Sequence, residues 1–597
     1  MRPYFTLATF LLSLSLTAPV QADDLYWQKL IRNDQSANTQ VDILLAAAQQ
    51  QDLTTPDTHL RCRFPARYAW LQTKYPEQTQ NWPEQPCPAL NQWLKDLDTN
   101  QITLVFASDY LNNPSSMFGH TLLRLDSRQH SDDVRLLSYA INYSAQTNTT
   151  NGLEFAWKGL TGGYPGAFSL LPYYEKVKEY NDWESRDLWE YELSFEQEEV
   201  NRLQLVYWEW REFTSPYYFF TRNCSYELLG LLEMAQPSLD LQSRFNWHAM
   251  PTDTLRAVLD QPNLLKRITY RAASGTKLEA AARRNSRQVN RQALALSQQG
   301  AFTQDLTPTE QAQALEAAYD DLYTRHVNHK ADAEAPTRLR QLLTQRSMLD
   351  VQDQRIEPVA PTVEPSQGHG TGRWSVGVGH DHETFATLRF RPAYHDWLDP
   401  SGGYRTGAGI SFLDVALRAG PSGLKVEEAT IVGIDSLAPA NSLHMPTSWS
   451  VRLGVDRALT DRDDDTRHSM TVLEGGAGLA AWVFGALCYG QNHGDLRGSQ
   501  SLDKGYEVGI GARFGCIGQI GQSMPETWRW SVETRPMYRL PDNGWSHELR
   551  MGLQRNLNAE NALRVEGRQY WREQSPPSVR IDVVSIFQPK TQRGGGQ

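Results

Sequence analysis

The feature that most constrains this chain is a run of alternating segments in its last third. In "YEVGIGARFG", Tyr506, Val508, Ile510, Ala512 and Phe514 share one face of an extended chain, and Glu507, Gly509, Gly511 and Arg513 share the other. "WRWSVET" sets Trp528, Trp530 and Val532 against Arg529, Ser531 and Glu533, and "HELRMGLQ" sets Leu549, Met551 and Leu553 against Glu548, Arg550 and Gly552. "RIDVVSIF" continues the pattern with Ile581 and Val583 against Arg580 and Asp582. About twelve such segments lie between residues 372 and 588, separated by turns such as "PDNG" and "NAEN". Successive side chains of a strand point to opposite faces, and about 9–11 residues of tilted strand cross a membrane. Tryptophan or tyrosine near many segment ends fits aromatic girdles, and an arginine-rich face fits a polar lumen. The pattern predicts a C-terminal antiparallel β-barrel of about 12 strands, of outer-membrane type. A soluble sandwich or barrel is the alternative, because any half-buried sheet alternates.

The start of the chain agrees with export. Arg2 precedes an apolar stretch from Phe5 to Leu16, and Val20-Gln21-Ala22 has the form of a cleavage site, so residues 1–22 read as a signal peptide. After residue 22 no uninterrupted apolar run has the length of a membrane helix. With 58 basic and 69 acidic residues the net charge is −11, which argues against a nucleic-acid partner.

Export places the 5 cysteines in an oxidising space. Cys62 and Cys87 lie close in sequence, and Cys488 and Cys516 fall in what read as adjacent strands, so two pairs account for four of them. A 62–87 bridge would stabilise its segment by about 3 kcal/mol on the loop-entropy estimate. Cys224 is left over, as a catalytic thiol or a buried inert one.

Between export signal and barrel the pattern changes several times. Residues 23–98 read as a small helical domain carrying the first disulfide. Residues 99–238 read as an α+β domain, with strands at 102–111, 119–127, 134–145 and 187–194 and a helix over "FEQEEVNRLQLVYWEWREF". The Gly- and Tyr-rich stretch 158–181 suits a loop leading into an extended arm. Residues 239–355 read as a helical connector and 356–371 as a Pro/Gly-rich linker.

"FFTRNCSYELLGLLE" carries the chemistry. Cys224 opens a helix whose buried side holds Leu228, Leu229, Leu231 and Leu232. Unpaired N–H groups at a helix start favour the thiolate and suit an oxyanion beside it. Asn223 and Ser225 are weak oxyanion or substrate candidates, and Ser225 is equally well a helix cap. The base candidate is His120 in "NNPSSMFGHTLLRLDS", either as the neutral acceptor of the thiol proton or in a thiolate–imidazolium pair. Asn142 in "SYAINYSA" is placed to hold the imidazole in its working tautomer, with a structural amide as the plain alternative. Ser116 and Tyr164 are further weak candidates, and Tyr164, Phe168, Tyr173 and Tyr174 would suit either an acyl groove or ordinary packing. His369, His380 and His382 match no standard zinc spacing and read as exposed linker and turn histidines, and no metal or cofactor is expected.

Histidine before cysteine, with the cysteine in an Asn-Cys pair opening a helix, resembles the circularly permuted papain-like group that includes lecithin retinol acyltransferase. More specifically, "NNPSSMFGHTLLRLD", "KGLTGGYPGAFSLLPYYEKVKEYN" and "FFTRNCSYELLGLLE" resemble the N-terminal periplasmic domain of the Lnb family of bacterial lipoprotein N-acyltransferases, over roughly residues 100–240. The resemblance implies a cysteine transacylase with His120 and Cys224 as the working pair. It departs from the family where membrane helices would follow the domain, since the β-pattern stands there instead. The expectation is therefore a cysteine acyltransferase or hydrolase at the outer membrane, facing the periplasm. It would act on a lipid, a lipoprotein or a related amphiphile. A cell-wall peptide amidase or peptidase, and a non-catalytic outer-membrane assembly protein, are the rival readings.

Overall fold

The computed structural model describes residues 29–30, 37–108, 118–128, 132–147, 149, 152–246, 248–302, 305–328, 330–459, 467–521, 527–541, 543–571 and 576–588. The expected signal peptide at 1–22 and Ser116 lie outside the described residues. The chain divides into two compact units, one of Met1–Asp96, Glu196–Phe213 and Gly230–Asp240, the other of Leu97–Phe195, Thr214–Leu229 and Leu241–Gln597.

The first unit is helical. Its disulfide, Cys62–Cys87, is buried with Leu90 against Leu205 and Trp208. The helix Gln197–Trp210 starts on a capping box made by Glu196 and Glu199. It packs into this unit although its sequence neighbours on both sides are strands of the other: Trp208 Nε1 donates to the Cys62 carbonyl at 2.8 Å, and the Arg67 N–H donates to Glu209 at 2.8 Å.

The second unit begins with a seven-stranded sheet. Its strands are β1 (Thr99–Ala107), β2 (His120–Ser127), β3 (Tyr139–Ala145), β4 (Tyr164–Pro172), β5 (Leu188–Leu193), β6 (Thr214–Tyr217) and β7 (Leu265–Arg271), in spatial order β6-β4-β3-β2-β1-β5-β7. Two expectations change here. The stretch 158–181 is not a loop and arm. It is the end of helix Gly152–Thr161, strand β4, a short helix Tyr173–Val177 and a π-helical turn Lys178–Trp183. β4 forms because its alternate residues Tyr164, Gly166 and Phe168 are buried between β3 and β6. Within 239–355, read as helical, the β-branched run "LKRITYR" is the edge strand β7 on β5. The remainder is a helical bundle, Ser274–Arg284, Arg287–Gln299, Pro308–Val327 and Ala335–Ser347, around Leu296, Leu315, Leu322 and Leu342.

The barrel strands are β8 (Gly372–His380), β9 (Thr384–Arg391), β11 (Ala408–Gly420), β12 (Gly423–Ser436), β14 (Ser448–Leu459), β15 (Arg467–Val483), β16 (Ala486–Gly498), β17 (Tyr506–Ile520), β18 (Trp528–Leu540), β19 (Gly544–Asn556), β20 (Asn561–Trp571) and β21 (Ser578–Phe587). Two short strands, β10 (Ala393–His395) and β13 (Pro439–Ala440), lie beside them. Every barrel strand is antiparallel to its neighbours, and β21–β8 with β9–β11 close the ring of twelve. Closure removes every edge, which a chain in hydrocarbon requires. The outward positions are apolar and open, among them Trp374, Val376, Ile510, Phe514, Val532, Met551, Ile581 and Val583, while Glu507, Arg513, Glu533 and Asp582 between them are buried. Cys488 and Cys516 are directly opposed on β16 and β17 and form the second disulfide.

The lumen is filled by ion pairs and by the β9–β11 connection, which folds inward. Arg391 and Arg564 donate to Asp399 at 2.6 and 2.9 Å, and Arg564 also donates to Asp396 at 2.9 and 3.0 Å. Arg529 donates to the Trp397 carbonyl at 2.9 Å, and the Trp397 ring lies 5.5 Å from that of Tyr489. Among the lining residues of the remaining cavity, about 240 Å³, are Arg389, Asp414, Arg452, Glu474 and Arg535. Among the described residues no helix is long and apolar enough to cross a membrane.

Candidate active site

His120 is the first residue of β2, reached through Gly119, whose φ of +91° belongs to the left-handed region that only glycine enters freely. A Cβ on Gly119 would also meet the Phe106 ring at 2.6 Å, so the turn that delivers His120 depends on this glycine. Asn142 stands on β3, buried and opposite Ser169 of β4. His120 Nε2 donates to Asn142 Oδ1 at 2.6 Å. That bond fixes the tautomer and leaves Nδ1 as the basic nitrogen of the neutral ring.

Cys224 begins the helix Cys224–Ala235 and is the free cysteine. Its helix is capped by Asn223, not Ser225: Asn223 Oδ1 accepts from the Tyr226 N–H at 3.2 Å and from Ser225 Oγ at 2.8 Å. Asn223 Nδ2 donates to the carbonyls of Phe219 and Ala249 at 3.0 and 2.7 Å. Both side chains that were weak oxyanion candidates are thus spent on holding the turn. The sulfur receives donors from three directions: the Thr121 N–H, the Tyr217 hydroxyl and the Ser225 N–H. Thr121 immediately follows His120, so it is the start of β2 that meets the cysteine. The Tyr180 ring, carried by the π-helical turn, lies 5.5 Å from the His120 ring and also interacts with Cys224.

The electrostatics differ from what the helix start alone suggests. Burial pushes the Cys224 thiol up, and the three donors and Arg186 oppose it without reversing it. Burial, with Arg186 and Lys176 nearby, pushes the His120 imidazole down to about 3. The resting pair is therefore thiol and neutral imidazole, not thiolate–imidazolium. Alkylation of Cys224 by iodoacetamide should be slow at pH 6 and should rise only above the usual thiol range of about 8.5; rapid modification at pH 6 would contradict this arrangement.

Several contributors had no signal in the sequence. Tyr217 accepts the Cys224 N–H at 3.3 Å and comes from the edge strand β6. Arg186 is buried under β1, donating to the carbonyls of Ser108 and Ala107 at 2.6 and 2.9 Å with its guanidinium 4.9 Å from the Tyr180 ring. Tyr164 is a buried partner of Tyr217 across β4 and β6. Phe168 and Tyr173 are buried too, Tyr173 donating to Glu190 at 2.8 Å, while Tyr174 is exposed. Tyr164, Phe168 and Tyr173 are thus packed inside the domain.

His369, expected to be exposed, is buried. It stacks on Tyr404 at 4.3 Å and meets His395 Nδ1 through Nε2 at 2.8 Å. His380 and His382 are exposed. His369, His395 and Asp399 bring ligand-type atoms within 4.8 Å of one another. The Asp399 carboxylate is already engaged by Arg391, Arg564 and Arg373, whose charges repel a cation, so the trio reads as an ion-paired turn.

Together these elements define a buried Cys/His/Asn group in an α+β domain joined to an outer-membrane barrel. Residues 89–261 match the Lnb N-terminal periplasmic domain, so this part of the chain is a domain of that family. Residues 268–358 and 362–584 match two domains of unknown function, DUF7842 and DUF7840. No curated protein matches the chain. Among solved structures, the KdgM porin is similar over 36% of this chain and 99% of its own, at 10% identity and a TM-score of 0.21. The NanC porin covers the same shares at 12% identity and a TM-score of 0.24. An outer membrane channel from Pseudomonas putida F1 covers 38% of this chain and 100% of its own, at 12% identity and a TM-score of 0.25. Likeness at this level bears on no activity.

Proposed function

We propose that the Lnb-type domain is a cysteine acyltransferase or hydrolase working through a Cys224 thioester. Cys224 Sγ attacks an acyl carbonyl as His120 Nδ1 takes the thiol proton. His120 returns that proton to the leaving oxygen or nitrogen, and a second nucleophile, an amine or water, then releases the acyl group. Asn142 holds the ring in the required tautomer. The observation that supports this most is the convergence on one buried sulfur of a helix start, the N–H of Thr121 and a hydroxyl, where Thr121 directly follows a histidine whose Nε2 is tied to an amide. Lipid, lipoprotein and related amphiphiles are the substrates that suit a domain seated on a barrel in the outer membrane.

Mass spectrometry of the full chain after incubation with an activated acyl ester tests it. A single acyl increment on Cys224 is expected. A peptide that is cleaved to new amines, with no acyl increment from any ester, would favour the amidase reading instead. Asn142→Ala should lower kcat by about 10²-fold or more, since general-base catalysis supplies about 10²–10⁴. A base held down to about 3 stays neutral at any pH above about 5, so kcat/KM should show no histidine limb near 6.5. A fall of tenfold between pH 7 and pH 5.5 would show a base that titrates near the ordinary histidine value, contrary to the downward push of burial on His120.

A further inference from the structure

The helical bundle that precedes the barrel holds a cavity of its own, between the helices Ser274–Arg284 and Pro308–Val327. One end of this helix pair is marked by Asp182, which accepts from Ser274 Oγ at 2.8 Å and from the Tyr323 hydroxyl. The other end is marked by Gln354, whose N–H donates to Glu316 at 3.1 Å and whose carbonyl accepts from Arg284. The two helices therefore run antiparallel, and residues 351–357 lie along the groove between them. That strap is pinned throughout: Arg346 donates to the carbonyls of Val351 and Gln352 at 2.9 and 2.8 Å, Arg355 to Asp320 at 3.3 Å, and Lys277 to Glu357 at 2.7 Å. Beneath it lies a space of about 180 Å³, inside the residues that match DUF7842.

Two polar groups that line this space have no partner among the described residues. Glu316 is 3% exposed; its Oε1 accepts from Arg346 Nε at 2.7 Å and from the Gln354 N–H, while the buried Oε2 accepts from nothing. Thr324 Oγ1 is likewise buried and unpartnered. Folds rarely leave a buried charged oxygen without a donor, because its desolvation is then uncompensated. Both positions call for a partner that the chain does not supply.

Spacing and charge specify that partner. Glu316, Asp320 and Thr324 stand four residues apart on one helix face, so about 12 Å separates the first from the last. The charges around the space balance, Lys277, Arg284 and Arg355 against Glu316, Asp320 and Glu357. A bare cation would meet as many like charges as opposite ones. A zwitterion with its ammonium at one end and its carboxylate at the other fits, provided it is long enough. A single amino acid is too short, whereas three residues of extended chain span about 10 Å.

We infer that this cavity binds a free short peptide of about three residues, its ammonium on Glu316 Oε2 and its carboxylate at Thr324 Oγ1 and Lys277 Nζ. The inference stands apart from the Cys224 thioester reading and holds or fails without it.

The test is isothermal titration of the full chain in detergent micelles with L-trialanine. Its N-acetyl form, its C-terminal amide, L-alanine and putrescine are titrated beside it. Saturable binding of trialanine at one site is expected, weakened at least ~10-fold by either blocking group and in free alanine. Thr324→Val and Lys277→Met should each weaken trialanine several-fold, with circular dichroism and heat-modifiable migration unchanged. Glu316→Gln should weaken it most; because Glu316 also holds Arg346 and the strap, the other two variants carry the test if this one does not fold. Trialanine that fails to saturate at millimolar concentration, or that binds the wild type, Thr324→Val and Lys277→Met alike, overturns the site. Equal binding of the acetylated peptide removes Glu316 as the ammonium partner and overturns the proposal. Putrescine or alanine binding as tightly as trialanine overturns it too, by showing a cation or a single amino acid as the occupant.

Discussion

Cys224→Ala should reduce acyl transfer by at least ~10³-fold while leaving the chain folded. The large effect follows because no other described side chain stands where the sulfur does, among the Thr121 N–H, the Tyr217 hydroxyl and the Ser225 N–H. Losing a nucleophile removes the covalent route altogether, and what remains is binding and polarisation. The fold should tolerate it for three reasons. Cys224 is not in a disulfide, alanine suits the first turn of the helix, and the cavity left by one sulfur costs about 1 kcal/mol. The measurement pairs the rate of acyl release with heat-modifiable gel migration of the barrel. Full activity in a folded Cys224→Ala variant would mean that the chemistry lies elsewhere.

Asp399→Leu should have the largest effect on stability, about 3–5 kcal/mol. Asp399 is fully buried and accepts from Arg391 at 2.6 Å and Arg564 at 2.9 Å, with Arg373 at 3.3 Å and the Asp396 N–H at 3.0 Å. A neutral side chain would leave the three guanidinium groups to share Asp396, with Arg373 alone also reaching Asp414, at 3.6 Å. Breaking a buried pair strands a charge, which costs more than the pair itself contributes. The urea concentration at which the gel shift is lost should fall for Asp399→Leu and much less for Asp381→Leu, whose Arg418 keeps Glu383 as a second partner. Equal midpoints for the two variants would show that the inward turn does not hold the barrel together.

The parts of this molecule that could be read from the chain share one property: their signal is local. Lipid outside and ion pairs inside force a two-residue period on each barrel strand, so "WRWSVET" and "RIDVVSIF" declare their faces without their neighbours. The odd cysteine and the Gly-His entrance to β2 are local as well, and so are the two cystines, whose members sit in matching segments. The inward turn at Asp396–Asp399 is not. Its partner Arg564 lies 165 residues beyond Asp399, and nothing near a short Asp-Trp-Leu-Asp stretch distinguishes a lumen turn from a surface loop. The same holds for β4, whose glycines and aromatics suit a loop until β3 and β6 flank it. It holds again for the helix Gln197–Trp210, whose place in the N-terminal helical unit depends on residues far upstream.

The site divides in the same way. Residue order alone determined that a thiol would open a helix, that a histidine would stand at a strand entrance, and that alternating strands would end the chain. Those features arise from backbone hydrogen bonding and side-chain period within a few residues. Only the tertiary structure decided the state of the thiol: the helix start favours the thiolate, but desolvation by the surrounding domain acts on every side of the sulfur and outweighs it. The tertiary structure also decided that the site-bearing segments rest on the barrel, because that contact joins Phe118 and Phe220 to Phe412, nearly 200 residues or more away, beyond the reach of any local pattern.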